Sequence, residues 1–161
     1  MAIQVGDTVP SGAFKHMGAN GPEEISSDEL FKGKKVVLFA LPGAFTPTCS
    51  AKHVPGFVQH AGEIKAKGVD TIACMSVNDA FVMGAWGKDQ QVGDKVVMLA
   101  DGSAAYTKAL GMDLDLTPHG MGVRCKRFAM VVDDGKVTHL AIEENPGALE
   151  ASGAEAILKA L

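Results

Sequence analysis

Apolar residues recur along this chain in two kinds of block. Runs rich in consecutive apolar residues fall at Lys35–Ala40, Val69–Val77, Val96–Ala100 and Arg127–Val132. Their length and lack of polar alternation predict strands buried on both faces of a sheet. Between the runs the period lengthens. Val54, Phe57, Val58, Ala61 and Ile64 share one face at helical spacing, which predicts a helix starting at Pro47 and closed by Gly68. Pro55 lies inside that pattern and should kink it. Asn78-Asp79 caps a second helix through Phe81, Val82 and Trp86 to Gln91. Ser103–Leu110 reads as a third, stopped by Gly111, and Ala154–Leu161 as a terminal one. Ser26–Phe31 is a short helical turn ending at Gly33. Asp133-Asp134-Gly135-Lys136 is a hairpin signal that returns the chain as an antiparallel strand, Val137–Ile142. Residues Ile3–Phe14 read as an extended lead-in, Gly18–Pro22 as a turn and Met112–Val123 as a loop. The order β-α-β-α-β-α-β-β-α predicts an α/β sandwich with helices on both faces of one sheet, in a single domain over residues 1–161.

Composition narrows the reading. Hydrophobic residues make up 47% of the 161, which excludes a disordered chain. No apolar run is long enough to span a membrane. A formal charge of −4, with Lys and Arg scattered, argues against a nucleic-acid partner. The first residues, Met1 to Asp7, lack the basic and apolar regions of a secretion signal. The cysteines are three, Cys49, Cys74 and Cys125. An odd count without a secretion signal fits a reducing cytoplasm rather than a disulfide framework. No Cys-x-x-Cys is present, and the five histidines show no metal-ligand spacing, so neither a metal nor another cofactor is expected.

One stretch carries candidate chemistry. The Lys35–Ala40 strand runs into Leu41-Pro42-Gly43-Ala44-Phe45-Thr46-Pro47-Thr48-Cys49. Thr46 before Pro47 has the pattern of a helix start, a hydroxyl N-cap followed by proline at the first helical position. Cys49 then falls at the third helical position, where free backbone N–H groups and the helix dipole favour an anion. The alternative for a lone cysteine, a small buried hydrophobe, stands beside this reading.

The motif Pro-x-x-x-Thr-x-x-Cys, filled by Pro42, Thr46 and Cys49, resembles that of the peroxiredoxins. Phe31-Lys32-Gly33-Lys34-Lys35, His53-Val54-Pro55-Gly56-Phe57, Ser76-Val77-Asn78-Asp79-Ala80-Phe81-Val82, Trp86-Gly87 and Lys126-Arg127-Phe128 resemble the type V branch, which includes the plant type II enzymes. The resemblance runs from Val5 to the C-terminus. It implies a thioredoxin-like sandwich around a central mixed sheet. It implies a thiol peroxidase in which Cys49 attacks hydrogen peroxide or a small alkyl hydroperoxide and becomes a sulfenic acid. Thr46 and Arg127 would position the peroxide, and Pro42 would shield the sulfur. Thr46 stands where thioredoxin has its first cysteine, so dithiol exchange is not expected.

Other residues stay open at this point. Arg124 competes with Arg127 for the guanidinium role or supports it. His53 either tunes Cys49 or is a hydrogen-bonded structural histidine. Residues Gly147–Gly153 hold no resolving cysteine of the kind many relatives carry. Cys74 matches the second cysteine of plant type II members, yet sits mid-run among apolar residues and reads equally as an inert thiol. The expectation is a one-Cys cycle, reduced by glutathione with glutaredoxin or by thioredoxin. The resemblance also implies a homodimer, with Phe45, Phe81 and Trp86 either at its contact or in the core. A redox-sensing module and a chemically silent α/β protein are the rival readings.

Overall fold

A computed structural model describes residues 2–145 and 147–161. Four buried runs form the centre of the sheet: β3 (Lys35–Ala40), β4 (Thr71–Ser76), β5 (Val97–Ala100) and β8 (Phe128–Asp133). With the N-terminal hairpin β1 (Ala13–Gly18) and β2 (Gly21–Ser26), and with β9 (Lys136–Ile142), they make a seven-stranded sheet in the order β2-β1-β5-β4-β3-β8-β9. The β3–β4 and β4–β5 pairs are parallel, and the others antiparallel. The mixed sheet matches expectation.

The strands alternate between two cores, as their period of two requires. Val37, Phe39, Ile72, Cys74, Ala129 and Val131 face one side. There they meet α2 (Val54–Ala66), α3 (Ala80–Asp89) and α5 (Ala154–Ala160). Val36, Leu38, Ala73, Met75, Met130 and Val132 face the other, against Leu30 and Phe31 of α1 (Ser27–Phe31) and Tyr106 of α4 (Ala105–Ala109). Among the described residues no helix is long and apolar enough to cross a membrane.

Three expectations change. The residues on either side of the expected Gly18–Pro22 turn pair as the β1–β2 hairpin, with six paired residues on each strand. Phe14 is the one residue of β1 fully buried, so the apolar alternation that marks a strand is nearly absent from it. The segment after Met112 holds a small hairpin of β6 (Asp113–Asp115) and β7 (Val123–Cys125) around a 3₁₀ turn at Thr117–His119. Its strands are too short to show a period. Pro55 does not sit in a kinked α-helix. The turn before it, Cys49–His53, is widened to a π turn, with the Val54 N–H bonded to the Cys49 carbonyl. A proline ring crowds the carbonyl four residues back, and a wider turn gives it room.

The α2 face of the sheet rests on Phe39, which is fully buried and stacked on Phe57 with ring centroids 4.0 Å apart. Replacing Phe39 by Ala should lower the free energy of unfolding by about 3–5 kcal/mol. Urea denaturation checks this, and a loss under about 1 kcal/mol would mean the core closes over the gap.

Candidate active site

The strand ends place the site. In β3 Ala40 pairs with Phe128 of β8, so Arg127 lies beside the chain as it leaves β3. The β3–β4–β5 set is parallel, and the turns after its strands gather at that same sheet end, where α/β proteins commonly hold ligands.

The turn after β3 is sharp. Phe45 takes a left-handed backbone, φ +62°, which bends the chain so that the Gly43 carbonyl meets Thr46. That carbonyl accepts the Thr46 hydroxyl at 2.7 Å and its N–H at 3.4 Å. The Thr46 carbonyl accepts from Ser50 N–H at 2.9 Å, which starts the helix there. The backbone thus begins as expected, but the Thr46 hydroxyl does not cap it. It donates backwards to Gly43 and keeps its lone pairs for an incoming donor.

Cys49 opens the π turn and is fully buried. Arg127, 2% exposed, donates from Nη2 to Cys49 Sγ at 3.0 Å. Its Nη1 lies 2.7 Å from His53 Nδ1. A guanidinium only donates, so Nδ1 accepts and the proton of His53 sits on Nε2. Nε2–H in turn donates to the Ser152 carbonyl at 3.0 Å. Burial first, and the Arg127 charge second, hold the His53 pKa down to about 3. His53 is therefore a neutral, doubly hydrogen-bonded ring.

Pro42 is buried at the start of the turn after β3. Arg124 is elsewhere. Its Nε donates to the Met121 carbonyl at 2.9 Å, and its Nη1 lies 3.4 Å from the carbonyls of Pro42 and Val77. A Cβ on Gly43 would come within 2.9 Å of that Nη1, so glycine lets the guanidinium lie against the turn. Arg124 braces the turn while Arg127 reaches the sulfur. Asn78, read with Asp79 as a helix cap, splits from it. Asp79 caps α3 by accepting from Val82 N–H at 2.8 Å. Asn78 Oδ1 accepts from Ala44 N–H at 3.0 Å and from Ser76 Oγ at 2.6 Å. Trp86 is core, fully buried, with Nε1–H donating to Ser50 Oγ at 3.0 Å.

The other thiols are set apart. Cys74 shares the core face of Cys49 but lies mid-strand in β4, fully buried. Burial pushes its pKa well above that of a free thiol. Burial does the same to Cys125 in β7. All three cysteines are free.

Sequence reasoning did not reach the segment that closes the site. Glu143, 7% exposed, follows β9, and one of its oxygens, Oε2, accepts from Glu150 N–H at 2.9 Å, Ser152 N–H at 2.7 Å and Ser152 Oγ at 2.6 Å. Thr48 Oγ1 donates to the Gly147 carbonyl at 3.0 Å. A carboxylate with an apolar strand behind it was the available signal.

A Redoxin family model matches residues 4–158. Peroxiredoxin-2B of Arabidopsis thaliana is 53% identical over 160 residues, covering 99% of this chain and 98% of that protein. The chain belongs to the peroxiredoxins. Reduced Prx3 of Vibrio vulnificus, solved in complex with hydrogen peroxide, superposes with a TM-score of 0.93 at 51% identity, over 98% of each chain. Peroxiredoxin 5 of Alvinella pompejana gives 0.85 at 34% identity, over 98% of this chain and 96% of that one. The resemblance to the branch of plant type II enzymes holds, and this peroxiredoxin is a thiol-dependent peroxidase.

The buried ring carries a pH signature. An unfolded His53 takes up a proton near its ordinary pKa of 6.5, whereas the folded ring resists until about 3. Its contribution to stability is complete above 6.5 and is lost as pH falls through that window. In the middle of the window the stability of the wild type should fall by about 1.4 kcal/mol per pH unit more than that of His53→Phe. Urea unfolding of both proteins over this pH range measures the difference, and equal slopes would refute a neutral buried ring.

Proposed function

We propose that Cys49 is the peroxidatic nucleophile of this enzyme, with Arg127 and Thr46 as the groups that hold the peroxide and Pro42 as a shield of the sulfur, within one catalytic domain over residues 1–161. The observation that carries the proposal is the 3.0 Å contact of Arg127 Nη2 with Cys49 Sγ. The thiolate attacks the nearer peroxide oxygen along the O–O axis. The S–O bond forms, the O–O bond breaks, and the leaving alkoxide or hydroxide takes up a proton. Sulfur is oxidised by two electrons to Cys49–SOH and the peroxide is reduced to an alcohol or water. Sulfur supplies both electrons, so the step calls on no cofactor.

A guanidinium at this distance balances negative charge as it moves from sulfur to the leaving oxygen. The Thr46 hydroxyl, with its hydrogen directed to Gly43, accepts from the peroxide O–H and sets the angle of attack. Buried Pro42 presents no N–H and limits water at the sulfur.

A one-Cys cycle completes turnover. A small thiol attacks Cys49–SOH, releasing water and leaving a mixed disulfide. A second thiol, or glutaredoxin, then frees Cys49 and carries away the disulfide. Glutathione with glutaredoxin fits this scheme, and thioredoxin is the other reductant we consider. The elevated pKa of Cys74, caused by burial in β4, argues against it as the resolving thiol. Three buried free cysteines suit a cytoplasmic setting. Phe45 and Phe81 are 54% and 66% exposed on the turn and the helix that border the site. Their apolar area supports a homodimer through this face.

Reduced protein treated with one equivalent of hydrogen peroxide should gain one oxygen on Cys49, read by intact mass and a peptide map. Loss of two hydrogens with Cys49 joined to Cys74 would replace this cycle by an intramolecular one. Cys49→Ser should abolish peroxide turnover, and Arg127→Gln should lower kcat/KM by about a hundredfold. Cys74→Ser should turn over with a glutathione-based reductant as the wild type does. An unmodified Cys49 would sink the assignment.

A further inference from the structure

Beyond the residues that meet the peroxide, the segment after β9 forms a continuous hydrogen-bonded path into the site. We propose that Glu143 is a positioning residue for peroxide reduction, holding Arg127 on Cys49 through Ser152 and His53. The inference rests on Arg127 and Cys49 having the roles given above.

Glu143 grips the site twice. Its N–H donates to the Arg127 carbonyl at 2.9 Å, which extends the β8–β9 ladder one step beyond the named strands. Its side chain gathers the N–H of Glu150 and both donors of Ser152 on Oε2. Burial alone would raise the pKa of this carboxyl, but these donors and the Ala151 N–H outweigh it and hold it below the usual range. Several donors converging on one oxygen call for a carboxylate, because an amide oxygen carries less charge to satisfy them.

Ser152, fully buried, thereby keeps its carbonyl fixed 3.0 Å from His53 Nε2. That carbonyl is what keeps the ring proton on Nε2. Were the proton to move to Nδ1, an N–H would face the Arg127 Nη1–H at 2.7 Å, and two donors repel. The guanidinium would turn, and Nη2 would leave its 3.0 Å contact with Cys49 Sγ. Loosening the carboxylate therefore reaches the sulfur by way of a histidine tautomer. His53 and Ser152 lie 99 residues apart in sequence, so the coupling runs through space and not along the backbone. A plainer role, in which Glu143 only pins the C-terminal segment, would cost stability and leave the chemistry unchanged.

The test uses reduced full-length wild type, Glu143→Gln, Ser152→Ala, His53→Phe and Glu143→Gln/His53→Phe. Single-turnover oxidation by hydrogen peroxide gives the rate of attack by Cys49. Histidine ¹⁵N shifts report the tautomer, and urea unfolding reports stability separately. Glu143→Gln should slow attack by about tenfold, as expected when a reacting group is displaced slightly. Its His53 signals should shift from the fixed Nε2–H form toward a mixture. On the His53→Phe background the same change should alter the rate by less than about twofold, because the path is already cut.

A Glu143→Gln protein that is less stable but oxidises at the wild-type rate overturns the proposal. So does an equal loss in both backgrounds. If Glu143→Gln does not fold, Ser152→Ala decides by the same readouts, since it removes one hydroxyl and keeps the carbonyl. Rapid oxidation of wild-type Cys49 tests the peroxidase assignment itself, so the two readings fail separately.

Discussion

The arrangement depends on keeping a guanidinium in a nearly dry core. Arg127 is 2% exposed, and removing such a charge from water costs several kcal/mol unless its donors are met. Much of the local structure answers that demand. Sulfur takes one donor of Arg127 and a neutral histidine another. The histidine can accept because a carbonyl occupies its other nitrogen, and the carbonyl stays in place because a carboxylate holds its residue. Among the described residues no buried side-chain nitrogen or oxygen lacks a hydrogen-bond partner. A donor network satisfied this fully has few alternative arrangements, and that rigidity lets a 3.0 Å contact persist between groups 78 residues apart.

The π turn serves the same end from the helix side. Cys49 and His53 must both face inward toward Arg127, while Pro55 two residues later cannot donate an N–H and crowds the Ala51 carbonyl. The widened turn accommodates the proline and leaves α2 regular from Val54 to Ala66, with its apolar face against Phe39. In the short stretch that carries the chemistry, Phe45 takes a left-handed backbone.

Where physics is local, the sequence was readable. Runs such as Val36–Ala40 are strands because nothing in them is polar. Thr46-Pro47 starts a helix because proline loses no bond there. The spacing of Pro42, Thr46 and Cys49 pointed to the turn, and the block around Arg127 pointed to the guanidinium. What could not be read depends on partners distant in the chain. The Thr46 hydroxyl turns to Gly43 because of a left-handed Phe45, which no propensity favours. Arg124 and Arg127 differ by three positions, and only the β3–β8 register decides which one reaches sulfur. Glu143, beside Glu144, looks like a solvated charge until Ser152 folds onto it. The β1–β2 hairpin was missed because it packs few apolar side chains and is held by its ladder.

The three cysteines show how environment separates one side chain into different fates. Cys74 and Cys49 share a core face, so burial alone does not tell them apart. What differs is the element. Cys74 sits in the middle of β4, flanked by the ladders to Phe39 and Met98, where movement toward another sulfur would break the sheet. Cys49 sits at the start of a helix, after the turn that leaves β3, with a guanidinium donor on its sulfur. Cys125 is buried in a two-stranded ribbon on the opposite core. The segment 147–153, which holds no cysteine, is tied down by Glu143, Thr48 and His53 and works as a support for the site. In the cycle proposed above, that segment serves to place Arg127, and the reduction of oxidised Cys49 falls to a thiol from outside.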